Sequence, residues 1–256
     1  MANILDGKVA AITGGTRGIG FAIAEAFLDE GAEVWICGRT APARLPQAGG
    51  RQARFVAADV RDAAACAAFI DEAAAARGLD VLVNNAGGSP YAESSTASPR
   101  FSERIVALNL LAPLYLAQAA HRWFVQRPGG GAIINIASVA GVRPSPGVAA
   151  YGAAKAGLLQ LTGTLAQEWG PLVRVNAVIV GLIQTEDAAA TYGSETAQAA
   201  IAQSLPLRRM ARPQDVAAAC VYLASGAAAY VSGAQLAVHG GGERPLFLDI
   251  LERDCR

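Results

Sequence analysis

Tyr151 and Lys155 stand four residues apart in the alanine-rich stretch AAYGAAKAG, residues 149–157. The chain has only one other lysine, Lys8, and arginine carries nearly all of its remaining positive charge. Side chains four apart on a helix share a face, so the phenol and the ammonium would project into one space. A tyrosine in free solution titrates near ~10, which makes it a poor acid–base at neutral pH. A neighbouring ammonium favours the phenolate and lowers that value. Lysine is a compact point charge with rotatable donors, so it can serve the phenol and also reach the hydroxyls of a ribose. The pair points to a tyrosine that moves a proton.

Residues 13–20 read Thr-Gly-Gly-Thr-Arg-Gly-Ile-Gly, after the apolar run VAAIT and before IGFAIAEAFLDEGA, which has helical period. Between a strand and a helix these glycines have separate roles. Gly14 permits a tight turn, Gly18 lets the backbone approach a pyrophosphate at the helix N-terminus, and Gly20 permits close helix–sheet packing. An acid at the end of the next strand would bind the ribose 2′-hydroxyl of NAD. That strand ends WICGRT, with Gly38 and Arg39 and no carboxylate. Arg39 is positioned for a 2′-phosphate, and Arg17 in the glycine turn offers a second guanidinium, a planar group that matches phosphate oxygens. Together they favour NADP(H), with NAD(H) possible.

The elements that must carry these residues are legible as an alternation. Short apolar runs fall at 9–13, 33–37, 54–57, 79–83, 132–137, 173–179 and 235–238. Segments of helical period lie between most of them, at 19–30, 62–77, 102–126, 150–169 and 213–224. Strand, helix, strand, helix predicts an α/β fold, a doubly wound, Rossmann-type parallel sheet with helices on both faces. Continuously apolar strands fit a sheet buried on both faces. No linker divides the chain, so residues 1–256 are expected to form a single domain. The segment 182–212 has no clear strand character; a connection that long is usually functional, and it is expected to be a substrate lid.

Composition narrows the classes of function. The chain is 53% hydrophobic and 16% charged, with a formal net charge of +0. A usual charged share is about 25%, so little charge is available to cover a surface and oligomeric burial is expected. No basic face stands out, which argues against a nucleic-acid partner. Asp6 and Lys8 interrupt the apolar run a signal peptide would need, and no apolar stretch is long enough to span a bilayer. A cytoplasmic protein is expected. Cys37, Cys66, Cys220 and Cys255 are far apart and form no CxxC, so they read as buried small hydrophobes rather than metal ligands. His121 and His239 are isolated, and no metal site is expected.

Taken together, the chain resembles a short-chain dehydrogenase/reductase over nearly its whole length. The matching pieces are residues 13–20, Asp59-Val60, Asn84-Asn85-Ala86-Gly87, Asn109, Ser138, Tyr151 with Lys155, and Asn176. The resemblance implies a seven-stranded sheet and a homotetramer. It implies that Tyr151 is the general acid in carbonyl reduction and the base in alcohol oxidation. Ser138 would hydrogen-bond the substrate oxygen. On its own a serine after a strand is more often a cap or loop donor; it is the place of Ser138, thirteen residues before Tyr151, that matches. Lys155 would hold the nicotinamide ribose, and Asn109 would hold a water in a proton relay behind it. The cofactor would be bound by Gly14, Thr16, Arg17, Gly18, Ile19 and Gly20, by Arg39, and by Asp59 and Val60 around the adenine. Asn85, Ala86 and Gly87 would line the cleft, with Gly181, Ile183 and Thr185 beyond the sixth strand.

One departure is Val180, where the family usually has proline; valine is expected to leave the start of the lid freer. The reading is an NADP(H)-dependent oxidoreductase interconverting a ketone and a secondary alcohol. Tyr192, Ile201, Leu205 and Met210 in the lid suggest an apolar substrate such as an acyl thioester or alicyclic ketone. The alternatives are an NAD-preferring alcohol dehydrogenase of the same family and a non-catalytic dinucleotide sensor, which would have no need of the acid–base set. An enoyl reductase of the same fold fits less well, because that branch separates its tyrosine and lysine more widely.

Overall fold

The computed structural model describes residues 3–245, 247–248 and 250–251. Seven strands, β1 (Val9–Thr13), β2 (Glu33–Gly38), β3 (Arg54–Ala57), β4 (Val81–Asn84), β5 (Gly131–Ser138), β6 (Val173–Val180) and β7 (Gln235–Val238), form one sheet. Their order is β3-β2-β1-β4-β5-β6-β7, and all neighbours are parallel. The chain steps outward from β1 to β3, then returns to the other side of β1. Winding therefore reverses between β1 and β4, and the crevice outside the carboxyl ends of strands at such a point is where open α/β sheets bind ligands.

The helices are α1 (Gly18–Asp29), α2 (Ala63–Ala74), α3 (Pro99–Val106), α4 (Ala112–Phe124), α5 (Ala149–Trp169), α6 (Ala188–Tyr192), α7 (Glu195–Ser204) and α8 (Pro213–Ala224). Alternate strand residues feed two apolar layers. Ile12, Ile36 and Val83 pack with Phe27 of α1 and Val216 of α8. Ala11, Cys37 and Leu82 pack with Phe69 of α2 and Leu116 of α4. Burial on both faces explains the unbroken apolar runs of the central strands. Cys37, Cys66 and Cys220 are buried free thiols, and burial pushes Cys37 and Cys66 up to about 12; Cys255 lies outside the described residues.

Three elements differ from the sequence reading. β4 begins at Val81 rather than at residue 79, because Asp80 turns inward as an anchor. Its carboxylate accepts from Val9 N at 2.9 Å and pairs with Lys8 at 3.3 Å and Arg127 at 3.0 Å. The expected helix over 102–126 starts earlier, where Ser98 caps Phe101 N ahead of Pro99. It is also interrupted by a π turn at Ala107–Leu111. Pro113 lacks the N–H that would serve the carbonyl four residues back, which is that of Asn109, and the ladder widens there. Finally, the segment 182–212, expected only to lack clear strand character, contains α6 and α7. Its ends are stapled together, Gln184 N to Ala211 O at 2.8 Å and Ala211 N to Leu182 O at 2.9 Å. Leu205 and Met210 are buried, so these two side chains seat the segment on the core.

Candidate active site

Tyr151 and Lys155 occupy the first two turns of α5, on the face toward β5. Lys155 is 3% exposed, and its Nζ donates to Ile136 O at 2.7 Å. The ammonium lies 5.6 Å from the centre of the Tyr151 ring. Burial lowers Lys155 to about 8. Tyr151 is half-buried, and its desolvation raises its value, while a hydrogen bond with Ser138 pulls the other way. Sequence reasoning expected the ammonium to lower the phenol. In the structure desolvation dominates and raises the phenol, with Ser138 as the group that lowers it.

Ser138 ends β5 and serves as the cap of the turn that follows. Its Oγ accepts from Ala140 N at 3.2 Å, capping the turn Val139–Gly141, and the same side chain bonds Tyr151. That turn reaches α5 because Gly152 has no side chain: a Cβ there would lie 2.9 Å from Ala140 O.

Asn109 is fully buried within the π turn. Its Nδ2 donates to Gly88 O at 3.0 Å and Ile105 O at 2.9 Å, and its Oδ1 accepts from Gly88 N at 2.9 Å. A Cβ on Gly87 would fall 2.7 Å from Asn109 Oδ1 and 3.2 Å from Lys155 Nζ. Gly87 thus separates the two polar groups by a single backbone thickness, and the four candidate catalytic residues gather at the carboxyl ends of β4 and β5.

The glycine turn lies across the switch point. Gly14 and Gly18 have positive φ. Gly20 approaches so closely that a Cβ would lie 2.4 Å from Gly14 O. Arg17 precedes α1, and the first turn of that helix has neither a side-chain cap nor an acidic residue. Its N–H groups are left for an anion, as a dinucleotide pyrophosphate requires. Thr16 fills the space beside Gly38, and Ile19 packs on the core below. Asn85 serves the turn itself: its Nδ2 donates to Thr13 O at 2.9 Å and Gly14 O at 3.2 Å. Thr13 completes the clamp, its Oγ1 accepting from Asn85 N at 3.0 Å and Ala86 N at 2.9 Å. Sequence reasoning passed over Thr13; its place as the last residue of β1 was the available signal.

At the other end of the cleft Arg39 is exposed and Val60 buried. Asp59 is gripped by Arg61 and held down at about 2, mainly by that bond, with Arg39 contributing. Beyond β6, Gly181 N donates to Val238 O at 3.1 Å. Ile183 N donates to the Tyr192 hydroxyl at 3.3 Å. Val180 is in register with Ser138 on one side and Val238 on the other. It extends β6 by one paired residue, so the backbone at Val180 itself is held in the sheet. Thr185 and Glu186 lie over the glycine turn, within 3.8 Å and 3.6 Å of where a Cβ on Gly18 would be.

Comparison with known proteins agrees with this geometry. The family described as enoyl-(acyl carrier protein) reductase matches residues 14–243. The chain belongs to the short-chain dehydrogenase/reductase family. As a member it is an NAD(P)-dependent oxidoreductase. It is 42% identical over 244 residues to an uncharacterized oxidoreductase of Mycobacterium tuberculosis, covering 93% of this chain and 92% of that one. It is 38% identical over 244 residues to a D-threitol dehydrogenase of Mycolicibacterium smegmatis, covering 93% of each. A solved structure of a putative NAD(P)-dependent gluconate 5-dehydrogenase from Beutenbergia cavernae, with bound NADP at low occupancy, superposes with a TM-score of 0.86. That protein is 36% identical, with 94% of this chain and 98% of that one covered. No helix among the described residues is long and apolar enough to cross a membrane.

Proposed function

We propose that this short-chain dehydrogenase/reductase interconverts a ketone and a secondary alcohol, preferring NADP(H). The observation that carries the reading is the buried Lys155 beside Tyr151, with Ser138 bonded to the same phenol. When bound, the nicotinamide supplies or accepts the hydride. Tyr151 donates its proton to the oxygen that becomes the alcohol, and takes it back in oxidation. Ser138 donates a hydrogen bond to that oxygen and holds it against the phenol. Lys155 orients toward the ribose, and Asn109 fixes the backbone at Gly88 behind it. The glycine turn and the open first turn of α1 receive the phosphates, Arg39 the 2′-phosphate. Gly181, Ile183 and Thr185 border the nicotinamide end, under a lid over 182–212.

Two substrate classes compete. The half-buried Tyr192 and Ile201 support an apolar carbonyl such as an acyl thioester or alicyclic ketone. The likeness to a D-threitol dehydrogenase supports a hydroxylated one, as does the paired Arg143 and Glu243 beyond Ser138, with Nε to Oε2 at 2.6 Å. A screen of both classes, followed by NADPH absorbance, separates them. It also tests the reading: no turnover of any carbonyl would favour a dinucleotide sensor, and equal turnover with NADH an NAD-preferring dehydrogenase. The chain acts on a small molecule as one domain, not on nucleic acid, in the cytoplasm and as a homotetramer. The exposed Tyr222, Tyr230 and Leu207 support that assembly.

A further inference from the structure

We infer that Glu243, held by Arg143 at the rim of the substrate cleft, selects a neutral hydroxylated carbonyl substrate, a ketose with its polyol, over apolar ketones and acyl thioesters. The inference rests on reading Tyr151, Ser138 and Lys155 as the reaction centre. Ser138, Val180 and Val238 lie in one register row across β5, β6 and β7. Arg143 follows Ser138 by five residues, and Glu243 follows Val238 by five. Their side chains meet, Arg143 Nε donating to Glu243 Oε2 at 2.6 Å and Nη2 to Oε1. The pair therefore arches over the end of β6, where Gly181 leaves the sheet for the lid. The turn that carries Glu243 is fixed there: Gly242 N donates to His239 O at 3.1 Å, and Leu207 N donates to Gly240 O at 3.3 Å. Tyr192 comes from α6 to the same place, its hydroxyl accepting from Ile183 N at 3.3 Å. Burial raises the Tyr192 phenol and the Glu243 carboxylate adds to it; burial raises Tyr151 and Tyr192 adds to that. Reaction centre, lid tyrosine and ion pair thus border one cleft.

Arg143 is engaged on every side. Besides its two bonds to Glu243, its Nη1 donates to Pro144 O at 3.1 Å and Ser145 Oγ at 2.9 Å. It balances the charge of Glu243 and holds both oxygens in a planar fork. A carboxylate has about four acceptor positions, and Arg143 takes two of them. The Glu243 side chain stays 33% exposed, so the remaining positions are open to a ligand. Tyr192 is complementary: its oxygen accepts from Ile183 N, which leaves its O–H to donate. An acceptor beside a donor matches a hydroxyl group, which both gives and takes a hydrogen bond. A substrate carboxylate would find the Arg143 donors taken, and a substrate ammonium would find the Glu243 charge already balanced. An alkyl chain would strip water from Glu243 and Tyr192 and return no hydrogen bond. A site built to bond a hydroxyl rejects such an analogue strongly.

The test compares full-length wild type, Glu243→Leu, Glu243→Gln and Tyr192→Phe on four kinds of carbonyl: the 2-pentuloses, 2-pentanone, levulinate and acetoacetyl-CoA. Each is tried with NADPH and with NADH, so the result does not depend on cofactor preference. The wild type should show its highest kcat/KM on a pentulose. Glu243→Leu should lower the pentulose-to-pentanone ratio of kcat/KM about five- to thirtyfold, mainly through KM, the effect of losing a part-exposed bond to a charged acceptor. Glu243→Gln keeps an acceptor and should lower the ratio less, as should Tyr192→Phe. NADPH dissociation constants near that of wild type would show that the variants are folded. A wild type that prefers 2-pentanone or acetoacetyl-CoA overturns the inference and leaves the dehydrogenase reading standing. A preference for levulinate does the same, with Arg143 as the recognising group. Equal losses on pentulose and pentanone in Glu243→Leu also overturn it, because the ion pair would then only support the fold. Reduction of none of the four by the wild type, with either cofactor, overturns both.

Discussion

Arg17 of the glycine turn reaches Asp187 of the lid, Nη1 to Oδ2 at 2.5 Å, across 170 residues of sequence. With Glu186 over Gly18, two carboxylates stand at the open N-terminus of α1, where the pyrophosphate would bind. Anions at a helix N-terminus are favoured by the unpaired N–H groups, and the lid acids take part of that benefit. The cofactor phosphates must displace them. Both partners are largely exposed, so the pair itself is worth little. Asp187→Asn should therefore tighten NADPH binding only modestly, by about two- to fivefold. Calorimetric titration checks it, and weaker binding by the variant would count against the competition.

The lid should respond to the same exchange. α7 has no buried residue, so amides in 183–203 should exchange faster than those of β6 in the free protein. NADPH and substrate should protect them, as closure excludes water from the nicotinamide. Hydrogen exchange followed with and without NADPH is the check. Protection in the free protein equal to that of β6 would mean the lid is already ordered.

Lys155 carries a stability cost whose sign is fixed by its environment. Burial lowers it from 10.5 to about 8, so the folded state disfavours the charged form. The penalty is complete below pH 8, shrinks between about 8 and 10.5, and is absent above. Its upper size is about 3 kcal/mol, offset by about 1 kcal/mol for the bond to Ile136 O. Lys155→Met should be more stable than wild type at pH 7 by about 1–2 kcal/mol, and the gain should fade toward pH 10. Urea unfolding at the two pH values measures this, while the same variant should lose turnover.

Arg39 should supply most of the preference for the phosphorylated cofactor. A charge-assisted contact to phosphate contributes about 1.5–3 kcal/mol, or roughly ten- to hundredfold in affinity. Arg39→Ala should lose that factor for NADPH and leave NADH binding nearly unchanged. Equal losses for both cofactors would show that Arg39 acts on the fold instead.

The parts legible in the sequence were those set by local pattern. The apolar runs became β1 to β7 nearly at their expected bounds, since burial on both faces leaves a continuous signal. Tyr151 and Lys155 share a face because helical spacing makes them do so. The π turn was hidden behind good helical period on both sides, although Pro113 was a visible cause. α6 and α7 escaped because alanines there give no apolar stripe, although Ser194 caps α7 in the ordinary way. Asp187 could not be found as a partner for Arg17, because nothing local in either segment encodes that approach. Arg61 was overlooked because two opposite charges two residues apart look like solvated surface.

Turnover by Tyr151→Phe tests the central claim most directly. The phenol is the one acid held between Ser138 and Lys155 at the site, and loss of such a group typically costs about 10²–10⁴-fold in rate. On a carbonyl that the wild type reduces with NADPH, Tyr151→Phe should lose kcat by that factor. Its dissociation constant for NADPH should stay within about twofold of wild type. A variant that keeps near-wild-type kcat would contradict the account, because the proton would then come from elsewhere.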